Sequence, residues 1–134
     1  MKNIIPVSSP VITKSDIKSI NNVIKNGWIS SEGPDVKKFE KNFSLFIGHK
    51  YSIAVSSGTA ALEIAVKSLK LKKGDEIIMP NFTIISNAIA VLKENLKIQL
   101  VDCEIKDWNM SIPEIEKKIT KKTKAIIATH IYNF

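Results

Sequence analysis

Ser56-Ser57-Gly58-Thr59-Ala60-Ala61-Leu62 is the stretch whose residue types and spacing could do chemistry. It follows Tyr51-Ser52-Ile53-Ala54-Val55, which reads as a short buried strand. Strand, small-residue turn and helix start together make an anion site. The first amides of a helix have no partner inside it, and the helix dipole adds partial positive charge at that end. Gly58 lets a ligand approach the backbone, and the hydroxyls of Ser56, Ser57 and Thr59 add donors. Such a turn reads equally as an ordinary capped helix start. Other chemistry is less well supplied. Neither a G-x-G-x-x-G nor a Gly-Lys-Ser/Thr loop is present. His49 and His130 have no ligand partner at helical spacing, which argues against zinc. Cys103, the single cysteine, reads as a small core residue at a strand end rather than a nucleophile, and no disulfide can form within the chain.

The elements that must position this turn alternate. Thr13 caps a helix, with Asp16 in the capping-box position and Ile17, Ile20 and Ile24 as its apolar stripe, and Asn26-Gly27 stops it. Residues 28–33 form a loop. Pro34 opens a second helix whose apolar face carries Val36, Phe39, Phe43 and Phe46, and Gly48 ends it. Then come a strand at 51–55, a helix at 59–70, a strand at 76–79, a helix from about Thr83 to Lys93, a strand at 98–101, a helix at 112–119 and a strand at 125–128. β-Branched strands separated by helices imply parallel pairing, hence an α/β fold with a mostly parallel sheet. Ligands in such sheets sit beyond the carboxyl ends of the strands. The loops 56–60, 80–86 and 129–132 fall there and can line one crevice.

Composition sets limits. The chain has 134 residues and a net charge of +7, yet all 20 basic residues are lysine. The densest group, Lys117, Lys118, Lys121, Lys122 and Lys124, reads as a solvated helix face. Without the arginine fork that reads phosphates and guanine edges, no nucleic-acid partner is expected. No apolar run approaches a membrane span, and Met1 to Pro6 does not look like a secretory leader. A cytoplasmic location is expected.

The residues resemble the amino-terminal part of the DegT/DnrJ/EryC1/StrS aminotransferases, fold-type I pyridoxal-phosphate enzymes that aminate nucleotide-linked keto sugars. The resemblance runs through Ile5-Pro6-Val7 with Pro10, Gly27-Trp28-Ile29-Ser30-Ser31-Glu32-Gly33-Pro34, and Phe39-Glu40. It continues through the Ser57-Gly58-Thr59-Ala60 turn, Gly74 to Thr83, Val101-Asp102, Trp108-Asn109-Met110 and His130-Ile131-Tyr132. Trp28-Ile29-Ser30-Ser31 and His130-Ile131-Tyr132 look closest to the perosamine-synthase-like branch, which acts on 4-keto-6-deoxy sugars.

The resemblance implies a three-layer αβα large-domain portion, with residues 1–48 as a helical segment and 49–134 as the start of the α/β core. It assigns Ser57, Gly58, Thr59 and Ala60 to the phosphate of pyridoxal 5'-phosphate. Ile84 stands where relatives usually carry a ring-stacking aromatic. Isoleucine covers a ring by dispersion only. Phe82 either leans toward the ring or joins the core. Trp28, Ser30 and Ser31, with Phe82, are implied substrate contacts. A nucleotide sugar, an amino-acid amine donor (glutamate) and a homodimeric full-length form are the implied partners. Relatives supply an aspartate for the ring nitrogen and a Schiff-base lysine beyond the position of Phe134, and glycine where Asn133 stands. The expectation is therefore a truncated portion, inactive alone. A non-catalytic remnant that binds a partner chain and a phosphate-ligand binding module are the alternatives.

Overall fold

The computed structural model describes residues 5–131. Met1 to Ile4 and Tyr132, Asn133 and Phe134 lie outside the described residues. The chain divides into two compact units, Met1–Ala54 and Val55–Phe134.

In the first unit, α1 (Lys14–Lys25) opens on the anticipated capping box. Thr13 Oγ1 accepts from the Asp16 amide at 3.2 Å, and the Asp16 carboxylate accepts from the Thr13 amide at 2.7 Å. The bond from the Thr13 backbone amide and, after it, the one that the Thr13 hydroxyl donates to the same carboxylate at 2.8 Å hold the Asp16 carboxyl below the ordinary aspartate range. A depressed carboxyl stabilises the fold above its unfolded pKa, and that contribution disappears as pH falls through the folded value. Acidification is therefore expected to open the start of α1 first. The Thr13 amide resonance should move with the titration of Asp16, and Asp16→Asn should abolish that coupling.

Gly27 follows α1 with φ +74°, a left-handed stop that suits glycine. The second helix, α2 (Pro34–Phe46), has proline in its first turn and Phe39 stacked on Phe43 at 5.8 Å between ring centroids. No residue of α1 is buried, and Ile17, Ile20 and Ile24 stay exposed. The anticipated strand at 51–55 is not formed. A strand exists only with a ladder partner, and these residues find another. Glu40 on α2 takes the Ala54 amide on its carboxylate at 2.8 Å, and its carbonyl accepts from the Ser52 hydroxyl. Tyr51 and Ile53 are exposed rather than buried.

The second unit holds the sheet. Its elements are α3 (Gly58–Ser68), β1 (Glu76–Pro80), α4 (Ser86–Lys93), β2 (Lys97–Val101), α5 (Ile112–Lys118) and β3 (Thr123–Ile126). The strands are parallel in the order β2-β1-β3. Each crossover carries one helix, as parallel pairing requires. Ile77 and Ile78, adjacent on β1, point to opposite faces and are both 0% exposed. On one face Ile77 packs with Val66 of α3, Ala90 and Val91 of α4, and Leu96. On the other, Ile78 packs with Val101, Met110 and Ile115 of α5. A central strand covered on both sides is the mark of a three-layer αβα sandwich, and that is the architecture anticipated.

Some boundaries differ. The fourth helix starts at Ser86 rather than Thr83, because residues 81–85 spend their polar groups on the loops described below. The last strand is Thr123–Ile126 rather than 125–128, its ladder running against Glu76 to Ile78. Cys103 lies past the end of β2, half-buried, in an isolated antiparallel bridge to Met110, and so is not a core residue. On α5, Lys117 pairs with Glu114 at 2.7 Å on an exposed face.

Candidate functional site

Parallel strands bring their carboxyl ends to one edge, so the loops after Pro80, Val101 and Ile126 share it. The start of α3 is joined to this edge by a hydrogen bond between Thr59 Oγ1 and Ser86 Oγ at 2.8 Å. Ser57 caps α3, its Oγ accepting from the Ala60 amide at 3.2 Å. The Ala61 amide bonds the Ser57 carbonyl. That leaves the amides of Gly58 and Thr59 without a partner among the described residues. A Cβ built on Gly58 meets nothing within 4 Å, so the approach to those amides is open. Two free amides, a serine hydroxyl and the positive end of an 11-residue helix form a donor set suited to a dianionic oxygen group. The Ala60 amide is already engaged.

A second contact joins the loops. Thr83 Oγ1 donates to Thr129 Oγ1 at 3.1 Å, and Asn87 Nδ2 donates to both hydroxyls. The loops after β1 and β3 are thereby tied together. Between them lies a cavity of about 290 Å³ lined by Phe82, Thr83, Ile84, Thr129, His130 and Ile131. Its wall mixes apolar side chains with hydroxyls, which suits a flat ring with polar edges. Ile84 is exposed on that wall. Phe82 does not join the core. It is half-exposed and leans on Trp108, 5.3 Å between ring centroids, dividing this cavity from one of about 360 Å³ beside Asn81, Asp102 and Cys103. Trp108 sits at φ +61°, a conformation rare for a bulky side chain.

Of the anticipated residues, Ser57, Gly58, Thr59, Ala60, Phe82 and Ile84 all lie in the second unit, around the start of α3 and the loop after β1. Trp28, Ser30 and Ser31 lie in the first unit, on the turn between α1 and α2. There the Ser30 carbonyl accepts from the Gly33 amide at 3.3 Å, and a Cβ at buried Gly33 would stand 3.5 Å from that of Trp28. Thr129 falls in the anticipated loop 129–132 without having been singled out, and Asn87 was not anticipated. The available signal was an asparagine one helical turn after Thr83 in an otherwise apolar segment. Among the described residues no cluster of three metal-ligating side chains occurs, and no helix is long and apolar enough to cross a membrane.

Known proteins match this arrangement. The chain is 38% identical over 128 residues to the GDP-perosamine synthase of Escherichia coli O157:H7, spanning 96% of this chain and 35% of that protein. Among solved structures, an E. coli GDP-4-keto-6-deoxy-D-mannose-3-dehydratase with bound hydrated PLP superposes with a TM-score of 0.85 at 30% identity, covering 92% of this chain and 33% of that one. A GDP-4-keto-6-deoxymannose-3-dehydratase with a trapped PLP-glutamate geminal diamine gives the same TM-score, 0.85, identity, 30%, and coverage, 92% and 33%. The chain thus spans about a third of the length of each of these relatives. The DegT/DnrJ/EryC1/StrS aminotransferase family pattern matches residues 10–133, nearly the whole sequence. With the fold and the sequence in agreement, this chain belongs to the DegT/DnrJ/EryC1/StrS aminotransferase family.

Proposed function

We propose that this chain is the phosphate-holding portion of a pyridoxal 5'-phosphate-dependent aminotransferase acting on a nucleotide-linked 4-keto-6-deoxy sugar. The observation that carries the reading is the pair of free amides at Gly58 and Thr59, open to solvent at the mouth of a parallel sheet. Those amides and the Ser57 hydroxyl hold the phosphate, with Ala60 beside them. Ile84 covers one face of the ring by dispersion, without the quadrupole contact an aromatic gives. When bound, the coenzyme supplies an electron sink for proton removal next to an amine.

Trp28, Ser30, Ser31 and Phe82 are assigned to the sugar substrate. Glutamate is the amine donor, a choice supported by the PLP-glutamate adduct trapped in the dehydratase relative. The groups that would hold the ring nitrogen and carry the reacting amine are, on the family resemblance, assigned to the two thirds of the relatives' length that this chain does not span. The chain alone is accordingly expected to bind coenzyme without turning substrate over. The complete protein is placed in the cytoplasm as a homodimer.

The test uses deoxypyridoxine phosphate, which lacks the aldehyde and so does not react with the 20 lysines. Fluorescence titration is expected to give about tenfold or greater preference for this compound over deoxypyridoxine, the charge-assisted phosphate bonds supplying the difference. Equal affinity for the two would overturn the reading.

A second reading, a non-catalytic chain that docks on a partner, is favoured by one observation. An apolar groove of about 450 Å³ runs beside α5, lined by Met110, Ile112, Ile115, Ile126 and Ala128. Stable, specific co-purification with a full-length relative, without phosphate preference in the titration, would select it.

A further inference from the structure

Asn87, Thr83 and Thr129 share one triangle of hydrogen bonds. Asn87 is 3% exposed, and its Nδ2 lies 2.8 Å from Thr83 Oγ1 and 2.9 Å from Thr129 Oγ1. The two hydroxyl oxygens are 3.1 Å apart. Three contacts need three hydrogens. With the amide nitrogen inward, it supplies two and one threonine supplies the third. Turned over, the amide oxygen would absorb both hydroxyl hydrogens and leave the threonine–threonine contact with none. The donor count therefore fixes the amide with its nitrogen inward.

The geometry of the threonine pair names the supplier of that third hydrogen. Thr83 donates to Thr129, so Thr129 Oγ1 accepts twice and both its lone pairs are taken. Its own hydrogen has no role in the triangle. Thr129 lines the cavity of about 290 Å³ that Ile84 also lines. It is thus an oriented donor with no accepting capacity left, on the same wall as the apolar side chain assigned to the ring face.

We propose that Thr129 donates to the ring hydroxyl oxygen of the pyridoxal phosphate, and that Asn87 is the positioning residue that fixes its direction. The inference rests on the coenzyme reading above. A donor that can no longer accept favours an acceptor oxygen and discriminates against a ring lacking it, because the spare hydrogen is then left unpaired in a partly dry site. Ile84, Phe82 and Ile131 offer that oxygen no side-chain hydrogen bond. His130 is the titratable side chain on this wall, so the comparison is made at one pH.

The experiment is a ligand-and-residue cycle on the full chain. Deoxypyridoxine phosphate and its analogue without the ring hydroxyl are titrated against the parent, Thr129→Val, Thr129→Ser and Asn87→Leu. The parent is expected to prefer the hydroxyl-bearing probe by about tenfold, the value of one well-placed hydrogen bond. Thr129→Val should lose that preference while keeping its affinity for the hydroxyl-free probe. Thr129→Ser should retain the preference. Asn87→Leu should lose it without touching the ligand; should that variant fail to fold, the Thr129 pair decides alone. An unchanged preference in Thr129→Val overturns the inference and leaves the coenzyme reading standing. Loss of the preference for phosphate-bearing over phosphate-free probes in the parent overturns that reading, and this inference with it.

Discussion

Gly58→Glu is expected to weaken binding of deoxypyridoxine phosphate by about a hundredfold, while the fold stays intact. A carboxylate at the first residue of α3 would stand within a few ångströms of the phosphate, and two like charges there cost several kcal/mol at the dielectric of a protein surface (about 4 kcal/mol for unit charges 4 Å apart). Solvent screening reduces this to the ~3 kcal/mol that a hundredfold loss represents. Stability should not suffer. Gly58 does not need a left-handed conformation, and a side chain there meets open space. An acidic residue in the first turn also suits the helix dipole. Gly58→Ala separates sterics from charge, since its methyl narrows the approach but carries no repulsion. Its urea midpoint should match or exceed that of the parent, because alanine is the better helix former. Isothermal titration with the phosphate probe and a urea melt of both variants check the pair. A Gly58→Glu chain that folds and binds like the parent would remove the phosphate from α3.

Ile77→Ala carries the largest expected loss of stability. Ile77 is 0% exposed on the central strand, packed among Val66, Ala90, Val91 and Leu96. Deleting three buried carbons there costs transfer energy and leaves a cavity that the helices on that face cannot close, about 3–4 kcal/mol. Against a total of ~5–15 kcal/mol for a domain, that is a large fraction. The edge strand gives the contrast. Ile126 is 47% exposed, and Ile126→Ala should cost under about 1 kcal/mol. Urea denaturation followed by far-ultraviolet circular dichroism should place the midpoints of the two variants well apart. Equal midpoints would mean that β1 is not the centre of the core.

The pattern of what the sequence disclosed follows from where the deciding interactions lie. The start of α1 was legible because Thr13 and Asp16 settle it between themselves. The strand Glu76–Pro80 was legible because Ile77, Ile78 and Met79, covered on both faces, are apolar in succession. Residues 51–55 are apolar apart from Ser52 and read as a strand too, yet their backbone is claimed by Glu40, more than ten residues away. Composition cannot reveal a rival partner of that kind. The turn with its open amides was legible in the Ser-Gly-Thr spacing, because those amides are placed by the helix start itself. The residues that tie the crevice together were not. Thr129 matters only because β3 lies beside β1, a juxtaposition created by topology. Asn87 announced itself only as a polar residue in an apolar helix, which is as often a surface position.

The triangle at the sheet mouth has a consequence for synthesis. Thr83 and Thr129 are 46 residues apart, and the strands that carry them become neighbours only once β3 has been made. During translation α3, β1 and α4 leave the ribosome with Asn87 still facing water. The pocket therefore takes shape only after β3 has been made. A ribosome that stalls before Thr129 releases a polypeptide that carries α3, β1 and α4 and no assembled crevice.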